Sequence, residues 1–148
     1  MIISATGLGN VASILARAGL SNSPGASTGS GDNRIQLVTN GVFGADANWT
    51  KTTWTIAAGV ASIAGAATDT MTQTIAITPG INYLVTFTVT AFTAGTVTPI
   101  LGGTSGTARG SAATFSEVIK AGSANNLINF SAASATLSID NVTIVQMG

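Results

Sequence analysis

Cysteine and histidine are absent from this 148-residue sequence, and only five Lys or Arg and five Asp or Glu residues are present. Without cysteine, no disulfide forms and no thiolate binds a metal. Without histidine, no imidazole base is present to activate a serine or threonine. Charged residues make up 7% of the chain, against about 25% of an ordinary soluble domain. We therefore expect a protein that is not an enzyme, with no catalytic residues and no cofactor.

The acidic residues are also dispersed along the chain, as Asp32, Asp46, Asp69, Glu117 and Asp140. Glycoside hydrolysis needs two carboxylates about 5–9.5 Å apart, and no two of these residues are neighbours in the sequence. The glycine-rich segment 102–106 (Gly-Gly-Thr-Ser-Gly) lacks the lysine of a phosphate-binding loop. Neither hydrolysis nor nucleotide chemistry is indicated.

The few charges also bear on binding partners. The formal net charge is zero and the basic residues are scattered, whereas nucleic-acid binding needs a basic stripe, so we expect no nucleic-acid partner. No apolar run approaches the ~18 residues of a membrane helix, and we expect no membrane partner. A mean hydropathy of +0.48 with so little charge indicates a surface covered by other subunits. We expect a homo-oligomer, with a dimer slightly favoured over a trimer.

Residues 1–34 are predicted to form an N-terminal arm and linker. Asn10 is a suitable N-cap and Gly19 a suitable end for a short helix. Its apolar stripe has helical spacing and consists of Val11, Ile14, Leu15 and Ala18. Segment 21–33 has the Gly/Ser-rich composition of a flexible linker. We interpret the stripe as a surface that docks on a partner subunit, and a disordered tail is the alternative.

From residue 35 onward the apolar pattern has a period of two. In segment 83–91, Tyr83, Val85, Phe87 and Val89 alternate with Leu84 and three threonines, as in a strand with one buried face. Glycine or asparagine separates the segments of this kind. Nine short strands are predicted, at 35–39, 54–57, 60–63, 71–78, 83–91, 96–101, 113–120, 127–131 and 136–146. This pattern predicts an all-β, antiparallel β-sandwich or barrel over residues 35–148.

The last predicted strand contains one irregularity. Leu137 and Ile139 share one parity, whereas Val142 and Ile144 share the other. A β-bulge at Asp140 and Asn141 would turn all four apolar side chains toward the core.

Three motifs resemble those of jelly-roll domains of the carbohydrate-binding-module type. They are L-V-T-N-G-V-F at 37–43 followed by Trp49 and Trp54, M-T-Q-T-I-A-I-T-P-G-I-N-Y-L-V-T-F-T-V at 71–89, and S-I-D-N-V-T-I at 138–144. They occur in the expected order over residues 35–146. Domains of this kind occur in secreted glycosidases and as capsid cement (decoration) proteins or tail-fibre modules of tailed phages.

The resemblance implies an antiparallel jelly-roll β-sandwich and, given the short chain and its arm, a capsid cement protein. Such a protein would bind the major capsid protein on the outer capsid surface of the virion and stabilise the shell across subunit seams. The alternative is a carbohydrate-binding module, for example of a phage tail fibre or a glycosidase.

Two departures from the carbohydrate-binding pattern are informative. Val42 stands where such modules carry an acidic or amide residue, and Asp140 with backbone carbonyls would supply too few oxygens for calcium. We therefore expect no metal site. Trp49 and Trp54 have two interpretations, namely platforms on which a sugar ring stacks, or core residues that close one end of the sandwich.

A protein shortened to begin at Arg34 should fold normally but occupy capsids poorly, because it lacks the apolar stripe that is expected to dock on a partner. Circular dichroism measures the folding, and quantitative gel analysis of purified particles measures the occupancy. Occupancy equal to that of the full chain would show that residues 1–33 are not needed for docking.

Overall fold

The structure is a computed structural model that describes residues 34–147, and these residues form an all-β, antiparallel fold. The arm residues Val11, Ile14, Leu15 and Ala18 lie outside the described residues. The strands are β1 (Thr55–Ala57), β2 (Val60–Thr74), β3 (Asn82–Leu101), β4 (Thr104–Ser105), β5 (Ala113–Lys120) and β6 (Leu127–Gln146). Between residues 34 and 147 there is no helix that could cross a membrane.

Two strands of 20 residues form the centre of the sheet. The strand order is β1-β2-β6-β3-β4, and β5 pairs with the first part of β3. β3 and β6 pair antiparallel from Tyr83 opposite Gln146 to Leu101 opposite Ile128. Every other strand pairs with one of these two, except β1, which pairs with β2.

The all-β, antiparallel prediction is confirmed, and so is the strand at 113–120, but the division of the chain into nine short strands is wrong. The segments predicted at 83–91 and 96–101 are parts of β3, and those at 127–131 and 136–146 are parts of β6. Likewise, 60–63 and the first half of 71–78 lie on β2. Segment 35–39 makes one isolated bridge, between Gln36 and Val145, and forms no strand. Gly65 lies inside β2 and Gly95 inside β3, whereas Gly59, Gly102, Gly103 and segment 122–126 lie between strands.

Each long strand bends where its register shifts. Gly65 and Ala66 in β2, Gly95 in β3 and Ser134 in β6 all have φ in the left-handed region, between 47° and 82°. The register shifts of the β2–β6 and β3–β6 ladders include these positions. Extra residues at a bulge bend a strand and increase its twist, so the sheet folds over and its two halves face each other.

Aromatic rings fill the space between the two halves of the sheet. Phe87 of β3 and Phe130 of β6 make an edge-to-face contact with ring centroids 5.1 Å apart. Trp49 also packs against Phe130, with ring centroids 6.1 Å apart. The odd-numbered residues from Tyr83 to Val89 are buried, with at most 2% of each side chain exposed. The prediction that these four side chains form the buried face of the strand is therefore confirmed.

The closing strand β6 contains an irregularity next to Asn141. Between the pairs Thr86–Thr143 and Thr88–Asp140, β6 has one residue more than β3. Asn141 has φ 54°, and its N–H donates to the Asp140 carboxylate (2.7 Å). Leu137, Ile139, Val142 and Ile144 are all buried.

The opening segment packs on this part of β6. The N–H of Val142, beside the extra residue, donates to the Gly41 carbonyl (2.8 Å). Further along, the Gln36 side-chain carbonyl accepts from the Ile144 N–H (2.7 Å). The motif at 37–43 and the motif at 138–144 are therefore in direct contact, and the opening segment covers this edge of β6.

Replacing Gly41 with alanine should destabilise the protein by about 1–3 kcal/mol, as overpacking of a filled site does. A Cβ on Gly41 would overlap the Val142 carbonyl oxygen and come within 3.3 Å of the Val38 side chain. Gly44→Ala is the matched control, since nothing lies within 4 Å of its Cβ position. Urea unfolding of the two variants measures the difference, and equal midpoints would contradict the close packing at Gly41.

Candidate functional site

Three carboxylates and two cations of residues 34–147 hold loop segments through ion pairs or hydrogen bonds. No group of three or more acidic side chains that could bind a metal occurs among these residues. Glu117 pairs with Arg109 (2.9 Å), and Asp46 pairs with Lys51 (2.6 Å). Asp69 accepts backbone N–H groups. Each of these carboxylates therefore has a structural partner.

The Glu117–Arg109 pair holds loop residues 106–109 against the inner face of β5. Glu117 also accepts the Thr107 N–H (2.9 Å). The Arg109 guanidinium lies over the Phe115 ring, 4.7 Å from its centroid, an arrangement that favours the cation. The Arg109 backbone bonds with Val97 in both directions. Arg109 thus joins the two halves of the sheet.

Asp69 joins β2 to the turn that precedes Trp54. Its carboxylate accepts the N–H groups of Thr53 (2.6 Å) and Thr52 (3.3 Å). Burial raises the pKa of the Asp69 carboxyl, but these and other backbone N–H donors, that of Thr53 foremost, outweigh burial and hold the pKa below its ordinary value. The Asp69 carbonyl accepts the Trp54 indole N–H (3.3 Å).

Both tryptophans lie in the core. Trp54 is 2% exposed and Trp49 is 7% exposed. The Trp49 indole N–H donates to the Asn40 carbonyl (3.2 Å) and its ring contacts Phe43. A sugar platform needs an open aromatic face, and neither indole has one, so the platform interpretation does not fit this placement.

A shallow polar cleft lies beside Trp49. Its volume is about 440 Å³, and it is lined by Thr39, Asn48, Trp49, Thr50, Gln73 and Thr74. Buried Gln73 forms its floor. The Gln73 amide donates to the Thr39 and Asn48 carbonyls and accepts the Thr39 N–H, so it ties two sides of the cleft together. Exposed threonine hydroxyls form the rim. The cleft can offer hydrogen bonds to a polar ligand but no exposed aromatic face.

A regular surface is formed by the outward face of β3, β5 and β6, which we call the hydroxyl face. Its members are Leu84, Thr86, Thr88, Thr114, Ser116, Val118, Thr143 and Val145. They form cross-strand rows, with Val118, Leu84 and Val145 in one and Ser116, Thr86 and Thr143 in the next. Two hydroxyl pairs, Thr86–Ser116 and Thr88–Thr114, bond at 2.8 Å. The only charged residues on these rows or bordering them are Lys120 and Asp140, at opposite ends.

Sequence reasoning missed the amides that organise the opening segment. Asn40 donates to the Ala45 and Ala47 carbonyls, and Gln73 joins residues 39 and 48. A signal for Gln73 was present, since it shares the parity of Met71 and Ile75, and a buried amide must be hydrogen-bonded. The Asn40-Gly41 dipeptide was likewise a turn signal.

Comparison with known proteins finds similarity to solved structures only at the level of the fold. No protein-family model and no curated protein matches the chain. It is similar to the enzymatically active domain of tailspike protein 4 of bacteriophage CBA120, with a TM-score of 0.52 and 22% identity over 76% of this chain. The match spans 22% of that tailspike chain. A CBM4 structure is similar with a TM-score of 0.45 and 18% identity, over 69% of this chain and 80% of that one. The tailspike match shows a shared fold.

Replacing Asp69 with asparagine should lower the free energy of unfolding at neutral pH by about 1 kcal/mol, because the charged acceptor is lost from a partly solvent-screened site. The folded-state pKa lies below the unfolded value of about 3.9, so wild type has this stabilisation above that value and loses it as pH falls through the folded pKa. The two proteins should therefore converge below about pH 4. Exposed Asp46→Asn is the control, expected within about 0.5 kcal/mol of wild type. A difference that persists unchanged in acid would contradict this role.

Proposed function

We propose that this protein is a virion structural protein, specifically a capsid cement (decoration) protein with a jelly-roll fold. It binds the outside of the major capsid protein shell and stabilises the shell across subunit seams. In this proposal the protein is not an enzyme, uses no cofactor, binds neither nucleic acid nor membrane, and acts as a homo-oligomer on the outer capsid surface.

The observation that carries the proposal is the chemistry of the hydroxyl face. Burying an unpaired hydroxyl costs free energy, but Thr86 and Thr88 already bond to Ser116 and Thr114. Leu84, Val118 and Val145 add aliphatic area in the adjoining row. Such a face loses little when it is covered by another protein, and it does not need a charged partner.

The use of the carboxylates supports a structural role over a catalytic one. Glu117 and Asp69 each accept two or more hydrogen bonds that hold loops. The fold shared with a phage tailspike domain is consistent with a phage protein.

The mechanism would be mechanical. A capsid seam opens when neighbouring subunits separate, so a protein that buries area on both sides of the seam opposes the separation. Specific, stable contacts bury on the order of 1,200 Å² or more in total. An eight-member face with few charges is suited to such a contact.

The alternative, a carbohydrate-binding module, is favoured by the polar cleft. Its threonine hydroxyls and the Asn48 amide are groups that hydrogen-bond to sugars. The burial of Trp49 and Trp54 weighs against it, since both indoles are used in the core.

Thr143→Lys should lower occupancy on purified capsids strongly, because it places a charge at an exposed position in the hydroxyl face, away from the cleft. Val42→Lys is the control, since Val42 is 61% exposed and lies outside that face. Particles stripped of the protein and reloaded with each variant are compared by quantitative mass spectrometry and by the temperature at which they release DNA.

Equal occupancy by Thr143→Lys and Val42→Lys would contradict docking through the hydroxyl face. Retention of wild type on a glycan array, abolished by Thr74→Lys in the cleft and accompanied by no capsid binding, would replace the proposal with the carbohydrate-binding alternative.

A further inference from the structure

Strand β5 is an unpaired sheet edge. All eight of its residues pair with β3 on one side, from Ala113 opposite Val89 to Lys120 opposite Asn82. On the other side, no backbone group of residues 34–147 bonds to it. Loop 106–109 contacts β5 through the Glu117 and Phe115 side chains on the inner face and makes no hydrogen bond to the β5 backbone.

Two hydrogen bonds identify which backbone groups of β5 point away from β3, at the free edge of the sheet. The Ala121 N–H donates to the Ile81 carbonyl, and the Met147 N–H donates to the Asn82 carbonyl, on opposite sides of β3. Since successive residues of an antiparallel strand alternate between its two edges, the odd-numbered residues of β5 bond to β3. The N–H and C=O groups of Thr114, Ser116, Val118 and Lys120 therefore point away from the sheet.

The other edges of the sheet are short, covered or, at residues 64–68 of β2, interrupted by register shifts. β1 has three residues. The second half of β2 is bridged by Thr50 at Thr72, and the second half of β3 is covered by β4 and by Arg109 at Val97. β5 has no proline and no bulge, and Lys120 at its end is the only charge among its outward side chains. A long, regular edge without such protection tends to pair with another strand.

A second copy of β5 matches this edge in three ways. An antiparallel edge is self-complementary, since a two-fold axis brings each outward N–H opposite a C=O of the partner. Val118 is 52% exposed, and an axis through Val118 would extend the row of Val145, Leu84 and Val118 into the same row of the partner. In this register Lys120 lies opposite Ser116 of the other copy, so no like charges meet.

We propose that the protein forms a two-fold dimer in which the β5 edges pair antiparallel, with the axis at Val118, into one continuous sheet. The proposal rests on the sheet alone and holds whether or not the protein binds a capsid. It leaves Thr143, on the other side of the hydroxyl face, open for a different partner.

Sedimentation of the full chain over a wide range of concentration tests the dimer. Wild type should be dimeric, and Val118→Lys should weaken dimerisation by roughly tenfold or more, because two like charges would meet at the axis. Ser116→Pro should act similarly without adding charge, since it removes an N–H that points outward. Val42→Lys is the matched control and should remain dimeric. Thermal melting of each variant confirms that it is folded.

A wild-type monomer throughout, or a folded Val118→Lys variant as dimeric as Val42→Lys, would overturn the proposal. The absence of native cysteine allows a direct test of the register. Val118→Cys should form a disulfide-linked dimer on mild oxidation, because paired Cα atoms lie about 5.5 Å apart. Ser116→Cys should not, because the two sulfurs would be offset by about 13 Å along the strands. The reverse result would overturn the Val118-centred register.

Discussion

The pairing of β3 with β6 is the constraint on which the rest of the structure depends. These 20-residue strands run through both halves of the sheet, and nearly every other strand bonds to one of them. A flat sheet of this length would expose its apolar side. The left-handed residues at Gly95 and Ser134 bend both strands, so that Phe87 at one end of the pair contacts Phe130 at the other. The bends in both strands therefore bring the core residues of the two halves of the sheet into contact.

Amide side chains, rather than charged ones, hold separate backbone segments of this protein together. Gln36 bonds to β6, Asn40 bonds to the loop that follows it, and Gln73 joins two separate segments. An amide both donates and accepts, so one side chain can satisfy backbone groups of both kinds. This explains how a chain with few charges orders residues 36–50 without a regular strand there.

The sequence was most informative where a single periodicity applied without interruption. The parity of Tyr83, Val85 and Phe87 predicted which side chains would be buried, because alternation and burial have the same cause. The continuity of β3 through Gly95 could not be predicted, since a bulge and a strand end share the same local residues. The contact of Glu117 with Arg109 depends on the path of a loop across the sheet, and charge spacing does not encode that path. For the hydroxyl face, the sequence showed that the threonines of β3 share one side of the strand. It could not show which residues of β5 and β6 lie beside them, because that depends on the register between strands.

The absence of charge among the eight members of the hydroxyl face has a consequence for the kinetics of the proposed association. Charged interfaces attract their partners over distance, whereas a neutral face depends on random collisions, with association rate constants of about 10⁵–10⁶ M⁻¹ s⁻¹. Added salt has little long-range attraction to screen in such an encounter. The lifetime of a complex formed through this face is then set by how slowly its rows of hydroxyl and aliphatic groups separate.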